Sequence, residues 1–536
     1  MNYDYIVIGS GSGGAAVAAR LSEDGKTTVC LLEAGGKDRH PFIHIPVLFP
    51  HLLTNPNTTW LRQSEPVPGL NGRPMYFPSG KVLGGSSSIN GMLYIRGQAQ
   101  DYDDWRDAGN DGWGWDDVLP LYKKMEDYQH GETDAHGAGG PIAVSDTLPS
   151  NESSYKFLEA AVATGIPRIS DLNTGDQHGI STVQGTIRKG RRDSTARGYL
   201  RFAKNRANMT IRTGANVTRI LLDGTRASAV EYVDNSGATV TVQAGREIIL
   251  SASAVGSPQV LLQSGIGDGA ELKDVGVEPT HHLPGVGKNL HDHLFIHLQP
   301  RLKAAYPTLN QMLSSKPRMG FELLRYGVSR TGAFGLTSTE ICGFLDSTTQ
   351  DGRPDIQINY RPFSFDYSPQ GAFVFHPFPG GTASICYTRP KSRGAVSLVR
   401  DNGATRLAIQ PNYLDRDEDV QGMLLGYKRL RNIIHTPPFA DYLEGEHGPG
   451  AQAQSDDEII EHIRNNASTI YHPVGTCKMG HDEMSVVDDR LRVRGLSGLR
   501  IADASIMPGI ISGNTNAPSI MVGEKCAEMI LSERNR

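Results

Sequence analysis

The sequence predicts an α/β portion joined to an α+β portion, on three observations. The first 33 residues run strand, glycine loop, helix, strand, acid. From about residue 295 to 465 the chain turns to short alternating apolar runs divided by Pro, Gly and Asp, the pattern of an antiparallel sheet. Beyond 465 it returns to small-residue loops, a strand ending in an acid, and a final helix.

The opening series carries the first chemistry. Tyr5 to Ile8 is an apolar run of the kind that forms a buried strand. Gly9, Gly11 and Gly14 make G-x-G-x-x-G, with Ser12 inside the motif. Ala15 to Leu21 is good helix sequence, and Gly25 stops it. Thr28 to Leu32 is a second strand and leads to Glu33, 19 residues beyond Gly14. The first glycine permits a tight turn, the second lets a pyrophosphate approach the backbone, and the third lets helix pack on strand. The helix N-terminus offers free N–H groups and its positive dipole end to phosphate. An acid at position 33 suits a ribose hydroxyl and disfavours a 2′-phosphate, which leaves NAD or FAD. A Rossmann-like dinucleotide site is expected here.

Bulk properties bound the rest. A chain of 536 residues exceeds one simple core, so two structural domains are expected. With 53 Lys plus Arg against 58 Asp plus Glu, the net charge of −5 argues against nucleic acid or an anionic membrane as the main partner. No run approaches the roughly 18 apolar residues of a membrane span. No signal peptide is expected ahead of the first strand. Cys30, Cys342, Cys386, Cys477 and Cys526 lack metal-ligand spacing and read as reduced, which fits a cytoplasmic protein.

The middle of the chain adds loops and helices. Trp60 sits in an irregular, proline-rich segment and is read as core or as part of a cofactor mouth. Ser79 to Met92 is a second Gly/Ser loop, containing Val82, Gly84, Gly85, Ser88, Asn90, Gly91 and Met92. Its small residues let backbone approach a ligand. It is not a phosphate-binding loop of the G-K-S/T kind, because Lys81 precedes the glycine pair. A helix is expected through Val118 to Tyr122, an exposed, mobile loop at Gly131 to Gly140, and a helix from Ser153 to Thr164. Strands are expected at 209–212, 216–221, 239–243 and 246–251, followed by a helix near Ser253 with Pro258 in its first turn. His281, His282, His291 and His293 do not share a ligating face, and no metal site is expected. The alternating runs 295–298, 340–344, 355–359, 384–387, 395–398 and 407–409 predict one antiparallel sheet, a lid over the dinucleotide unit. Val420 to Ile434 is helical. Leu499 to Ala504 is a strand reaching Asp503, and Asn516 is an N-cap candidate for a helix over 519–531 that includes Ala517 in its approach.

With these residues in place, the chain resembles the glucose–methanol–choline (GMC) flavoprotein oxidoreductases over nearly its whole length. Gly80 to Asn90 and Gly256 to Gly267 look like the family's two signatures. Tyr471-His472-Pro473-Val474-Gly475-Thr476 and Gly513-Asn514-Thr515-Asn516-Ala517-Pro518 look like its catalytic segments. The N-terminal half is most similar to bacterial choline and alcohol dehydrogenases of the group. The resemblance implies FAD rather than NAD and an alcohol substrate. It implies FAD-binding segments at 1–155, 191–294 and 466–536, with substrate segments at 156–190 and 295–465. Carried over by position, Gly9, Gly11, Ser12, Gly14 and Glu33 hold the ADP half, and the loop from Val82 to Met92 follows the pyrophosphate and isoalloxazine. Val217 lies near the adenine; Trp60, Ser253, Asp503, Ala504, Asn516 and Ala517 complete the cradle. His472 and Asn514 are the catalytic pair. Members that tether FAD through a histidine carry it where this chain has Ile89, so the FAD is expected to be noncovalent.

The chemistry so implied is oxidation of a primary alcohol to an aldehyde. His472 takes the hydroxyl proton as general base and Asn514 positions the same oxygen. The acceptor is expected to be a quinone or dye. The alternatives are an oxidase that passes electrons to O₂ and releases H₂O₂, a lyase that keeps FAD as structure, and, from the glycine motif alone, an NAD-linked dehydrogenase. The pocket roof is expected near Tyr360 to Phe363. The substrate and the oligomeric state are left open.

Overall fold

The computed structural model describes residues 2–347, 352–367 and 373–534. The first strand, β1 (Asn2–Ile8), passes through the glycine loop into α1 (Ser12–Leu21) and returns in β2 (Val29–Glu33). β3 (Met209–Thr213), β4 (Asn216–Asp223), β5 (Arg226–Val233) and β6 (Thr239–Leu250) extend this sheet. β1, β2 and β3 pair in parallel, as do β1 and β6. β6 has 12 residues and does two jobs. Its first half pairs antiparallel with β5, and its end lies parallel to both β1 and a distant strand near the C-terminus. The central strands are apolar because helices and loops cover them.

α2 (Ser253–Gln263) follows β6. Pro258 was expected in its first turn but lies in its interior. A proline there leaves the carbonyl four residues earlier without its helical donor. The Thr476 hydroxyl supplies one, donating to Ala254 O at 2.6 Å. A residue 222 positions away in sequence therefore makes this proline tolerable.

The second sheet is antiparallel. β7 (Leu294–Leu302) precedes α3 (Lys316–Ser329), β8 (Ile341–Leu345), β9 (Ile356–Arg361) and β10 (Thr382–Tyr387). The hairpin β11 (Ala395–Asp401) and β12 (Ala404–Gln410) comes next, then α4 (Asp417–Ile434) and β13 (Leu443–His447). The order is β8-β9-β10-β7-β13, with β14 (Ser468–Thr469) also pairing β7. One sheet was expected to hold all six sequence runs; instead β11 and β12 pair only with each other, as a separate hairpin. One sheet face, Ile296, Leu298, Ile358, Ala383 and Ile385 among others, packs in a core that α4 shares.

β15 (Leu499–Ile501) returns the chain to the first sheet beside β6, and α5 (Asn516–Arg534) packs on α1. The two helices meet backbone to backbone: a Cβ on Gly523 would lie 2.4 Å from Gly13 O. Arg20 and buried Glu524 pin them, with Tyr199 donating to the same carboxylate. Asn516 is the first residue of α5 rather than its cap, and Thr515 takes the cap position.

The loop from Gly131 to Gly140 was expected to be exposed and mobile. It is anchored by His136, which is buried, stacks on Tyr128 at 4.1 Å, and lies between Glu126 (2.9 Å) and Asp171 (2.7 Å). Two carboxylates outweigh burial and raise the imidazole's pKa. Trp105 and Trp113 are core, each donating its indole N–H to a backbone carbonyl, those of Gly509 and Asp489.

Candidate active site

A cavity of about 380 Å³ lies between the two sheets. Its dinucleotide half is built by the β1–α1 turn. Gly9 adopts φ +93, and a Cβ there would lie 2.3 Å from Ser251 O. A Cβ on Gly14 would lie 2.0 Å from Gly9 O, so helix and strand touch only because it is glycine. A Cβ on Gly11 meets nothing within 4 Å and points toward the cavity that Gly11 lines. α1 has no side-chain cap, which leaves its first N–H groups available to a ligand.

Glu33 ends β2 at the cavity wall and is buried. One carboxylate oxygen accepts from Ser10 N and Oγ, the other from Gly35 N at 2.7 Å. Of about four acceptor positions on a carboxylate, one remains for a ligand hydroxyl. Burial, the largest influence, raises its pKa. Ser12 Oγ donates to Asn516 Oδ1 at 2.7 Å, joining the first glycine loop to the first turn of α5.

Of the residues singled out in the sequence, Gly9, Gly11, Ser12, Glu33, Trp60, Gly85, Asn90, Gly91, Met92, Val217, Ser253, Asp503, Ala504, Asn516, His472 and Asn514 line this cavity. Gly14, Val82, Gly84, Ser88 and Ala517 stand behind its wall. Gly84 takes φ +88 close to the Ser88 hydroxyl, which itself donates to Leu83 O. Val82 packs with Ile43, Leu52 and Ile89, and Ala517 is in the main core. Asn90 is held by the fully buried Arg192, which donates to its Oδ1 at 2.6 Å. Asp503 accepts from Ser257 Oγ, Ser253 N and Ser505 N. Met92, Ser253 and Tyr471, all on the cavity wall, adopt left-handed φ of 66, 78 and 67°. Among the described residues eight other non-glycine residues take left-handed φ away from the cavity, so such strain is not confined to the site.

The roof is one face of the second sheet. Strand alternation turns Phe295 and His297 of β7, Gln357, Asn359 and Arg361 of β9, and Ser384 and Cys386 of β10 toward the cavity. The expected roof stretch is corrected by the same rule. Arg361 faces the cavity, but Tyr360 faces the opposite core, stacked on Phe157 at 4.6 Å. Gln357 and Asn359 were missed. Their signal was a polar residue on either side of Ile358 in an otherwise apolar strand. Arg62, also missed, reaches the cavity wall, held by Ser79 Oγ at 2.8 Å.

At the junction of the halves lies a directed hydrogen-bond chain. Thr388 O can only accept, so His293 Nε2 carries the proton across their 3.1 Å contact. His293 Nδ1 is then bare and accepts from His472 Nδ1 at 3.1 Å. His472 Nε2 is left with its lone pair toward the cavity, where Asn514 Nδ2 donates to it at 3.2 Å. Gln357 Nε2 donates to Asn514 Oδ1 at 3.3 Å, which sets the amide's orientation. Burial, with a smaller contribution from His293, holds the His472 pKa well below its ordinary 6.5. His472 is therefore a neutral imidazole in one tautomer, with its accepting nitrogen on the cavity side.

Asp292 fixes both histidines. One of its oxygens accepts from the backbone N–H groups of His293 and His472, each at 2.8 Å. The other accepts from Tyr413 Oη at 2.5 Å and from the Thr469 hydroxyl. Burial outweighs these four donors and pushes its pKa up to about 6. The other histidines noted in the sequence are placed elsewhere: His281 Nε2 meets Arg494 O and His291 Nδ1 meets Asn289 O.

Comparison with known proteins defines the class. The GMC oxidoreductase N-terminal model matches residues 3–295 and the C-terminal model residues 390–523. The chain belongs to the GMC oxidoreductases, enzymes with an FAD-binding fold. It is 42% identical over 532 residues to an alcohol dehydrogenase [acceptor] of Pseudomonas putida, covering 99% of this chain and 96% of that one. It is equally 42% identical over 539 residues to an oxygen-dependent choline dehydrogenase of Escherichia coli, with the same coverage. Among solved structures it is similar to pyridoxine 4-oxidase from Mesorbium loti, with a TM-score of 0.87, 32% identity and 99% of each chain covered. It is also similar to a formate oxidase, with a TM-score of 0.90, 26% identity, and 100% of this chain and 99% of that one covered.

The glycine cradle and the open α1 terminus fit the dinucleotide of FAD, and they yield a test. Gly11 has a φ of −67° that any residue adopts, and it faces open space. Gly11→Leu should fold with a thermal midpoint close to that of the wild-type apoprotein yet lose most of its bound FAD on purification. Gly14→Ala should instead lower the midpoint itself. Full FAD occupancy in Gly11→Leu would show that no ligand group approaches the backbone there.

Proposed function

We propose that this protein oxidises a primary alcohol to an aldehyde, with noncovalently held FAD as the electron acceptor. The observation that carries the reading is the hydrogen-bond chain from Thr388 O through His293 to His472, which presents an unprotonated Nε2 to the cavity. FAD, when bound, would supply the hydride acceptor. Chain segments 1–155, 191–294 and 466–536 would hold the cofactor, and segments 156–190 and 295–465 the substrate. Gly9, Gly11, Ser12, Glu33, Trp60, Val217, Ser253, Asp503 and Asn516 are the proposed cradle, with the 82–92 loop along its inner edge.

The residues divide the work as follows. The alcohol hydroxyl enters between His472 and Asn514 and replaces their mutual contact. Its proton passes to His472 Nε2, and the Asn514 amide N–H donates to the oxygen as negative charge grows there. Gln357 keeps that amide oriented, and His293 keeps the His472 tautomer. On the roof, His297, Gln357 Oε1 and Asn359 Oδ1 have buried polar atoms without a partner among the described residues. Together with Arg361 they suit an alcohol carrying a further polar group. No carboxylate stands among the described roof residues to pair with a quaternary ammonium.

Four measurements test this reading. In anaerobic stopped-flow reduction, His472→Ala should slow flavin reduction by about 10²–10⁴-fold with FAD content retained. Asn514→Ala should slow it less, and because both act on one oxygen the double variant should fall short of the product of the single effects. Wild-type reduction by His472→Ala at saturating alcohol would remove the assigned base.

The pH profile follows from the lowered His472 pKa. The competent form is the neutral imidazole, and a depressed pKa keeps it populated as pH falls below the ordinary 6.5. The acid limb of kcat/KM should therefore lie below about pH 6.5, and a limb at or above that value would contradict the burial argument.

Ile89 lines the cavity in a wholly apolar cluster and offers no nucleophile to a flavin. Acid precipitation should release the yellow colour into the supernatant; colour retained in the pellet would mean a covalent link. The electron acceptor after FAD is proposed to be a quinone or dye, supported by the likeness to an alcohol dehydrogenase [acceptor]. Hydrogen peroxide formed in air as fast as dye is reduced would favour the oxidase alternative.

A further inference from the structure

Outside the active-site cavity, the feature that asks for a partner is α3. Its inner face is conventional. Tyr326 is buried and donates to Gly190 O at 2.9 Å, and Glu322 accepts from Ala333 N at 3.0 Å. Its outer face is not. Phe321, Leu324 and Val328 are 64, 67 and 81% exposed, and Leu323 is 49% exposed. At 3.6 residues per turn the first three fall within about 60° of one another, a continuous apolar stripe. A soluble monomer seldom leaves such a stripe in water.

The exposed charges around the stripe are basic. Lys316, Arg318 and Arg325 lie on the exposed surface of the helix, and Arg330 follows it, its guanidinium over the Tyr326 ring. The one acid of the helix, Glu322, is turned inward, where it also pairs with Arg325 at 3.5 Å, leaving Lys316 and Arg318 as the helix's charges without an acid on the same helix. Arg191, from another part of the chain, also lies near Tyr326, whereas Arg197 beside it is paired with Asp193 at 3.9 Å. The whole-chain charge of −5 does not describe this face.

We propose that α3 is a membrane-docking helix, lying in the headgroup boundary of a bilayer rich in anionic lipid. Phe321, Leu324 and Val328 enter the acyl edge, and the arginines and Lys316 meet the phosphates. A second copy of the chain fits this face poorly. Two-fold self-contact would set each exposed basic flank against its own image. The location ties docking to the active site. The turn Ala333–Gly335 after α3 packs on the turn Pro46–Leu48, and the next residues, Phe49 and Leu53, line the cavity.

Vesicle flotation of the FAD-loaded full chain tests this. The protein should float with phosphatidylcholine vesicles containing roughly a third phosphatidylglycerol and should be released by salt. It should float poorly with phosphatidylcholine alone. Phe321→Asp with Leu324→Asp should lower the bound fraction by about tenfold or more while dye-linked turnover in solution stays at the wild-type rate. Lys316→Gln with Arg318→Gln, which leaves the apolar stripe intact, should weaken binding to anionic vesicles and provides the test if the aspartate variant does not fold. No flotation with anionic vesicles, or flotation indifferent to both variants, overturns the proposal. So does light scattering that shows a dimer which the aspartate variant dissolves, since the stripe would then belong to a second copy.

Discussion

The candidate site depends on one buried carboxylate. Asp292 gathers four donors: two backbone N–H groups and two hydroxyls, from segments that meet only in the folded chain. Its effect on the chemistry is indirect but complete. By holding the His293 and His472 backbones together it sets their imidazoles 3.1 Å apart, and that contact decides which nitrogen of His472 faces the cavity. A carboxylate with so many donors ordinarily titrates low; here desolvation is the larger influence and its pKa rises. The arrangement is a positioning device built from backbone as much as from side chains.

The cavity itself results from two sheets that bury their faces differently. In the first, mixed sheet the parallel strands β1 and β2 are buried in the main core, and β1 ends in a glycine turn that lets a ligand reach the backbone. The antiparallel sheet gives one face to a hydrophobic core and the other to the cavity, so a period of two residues places His297, Gln357, Asn359 and Arg361 over the site. Shifting β9 by one residue would exchange Gln357 and Asn359 for Ile356 and Ile358 and abolish the polar roof. The fold class and the chemistry of the roof are therefore set by the same alternation.

Close backbone contact is the other recurring device. Gly9, Gly14, Gly13 and Gly523 each occupy places where a methyl group would meet a carbonyl oxygen at about 2 Å. Gly11 is glycine for the opposite reason, since the space beside it is open to the cavity. Met92, Ser253 and Tyr471, three of the eleven described non-glycine residues with left-handed φ, also stand on the cavity wall.

Much of this was legible in the residues alone. The glycine spacing, Glu33 and the period of β1, α1 and β2 are local signals, and local signals determine turns, strands and the cofactor class. The family, and FAD rather than NAD, came instead from resemblance, carried most strongly by Gly80 to Asn90 and Gly256 to Gly267 and also by the segments around His472 and Asn514. What the sequence could not determine was anything that depends on partners far apart in the chain. Pro258 inside α2 is tolerable only because Thr476 donates to Ala254 O. The loop at 131–140 is anchored because His136 finds Glu126 and Asp171. β11 and β12 alternate like sheet strands yet pair only with each other, because alternation reports burial of one face and not the identity of the neighbour. The tautomer of His472 rests on His293 and Thr388, 179 and 84 residues away. Sequence determined which elements form and which cofactor they suit; tertiary structure alone decided which nitrogen faces the cavity, because a proton's place is set by the nearest acceptor in space.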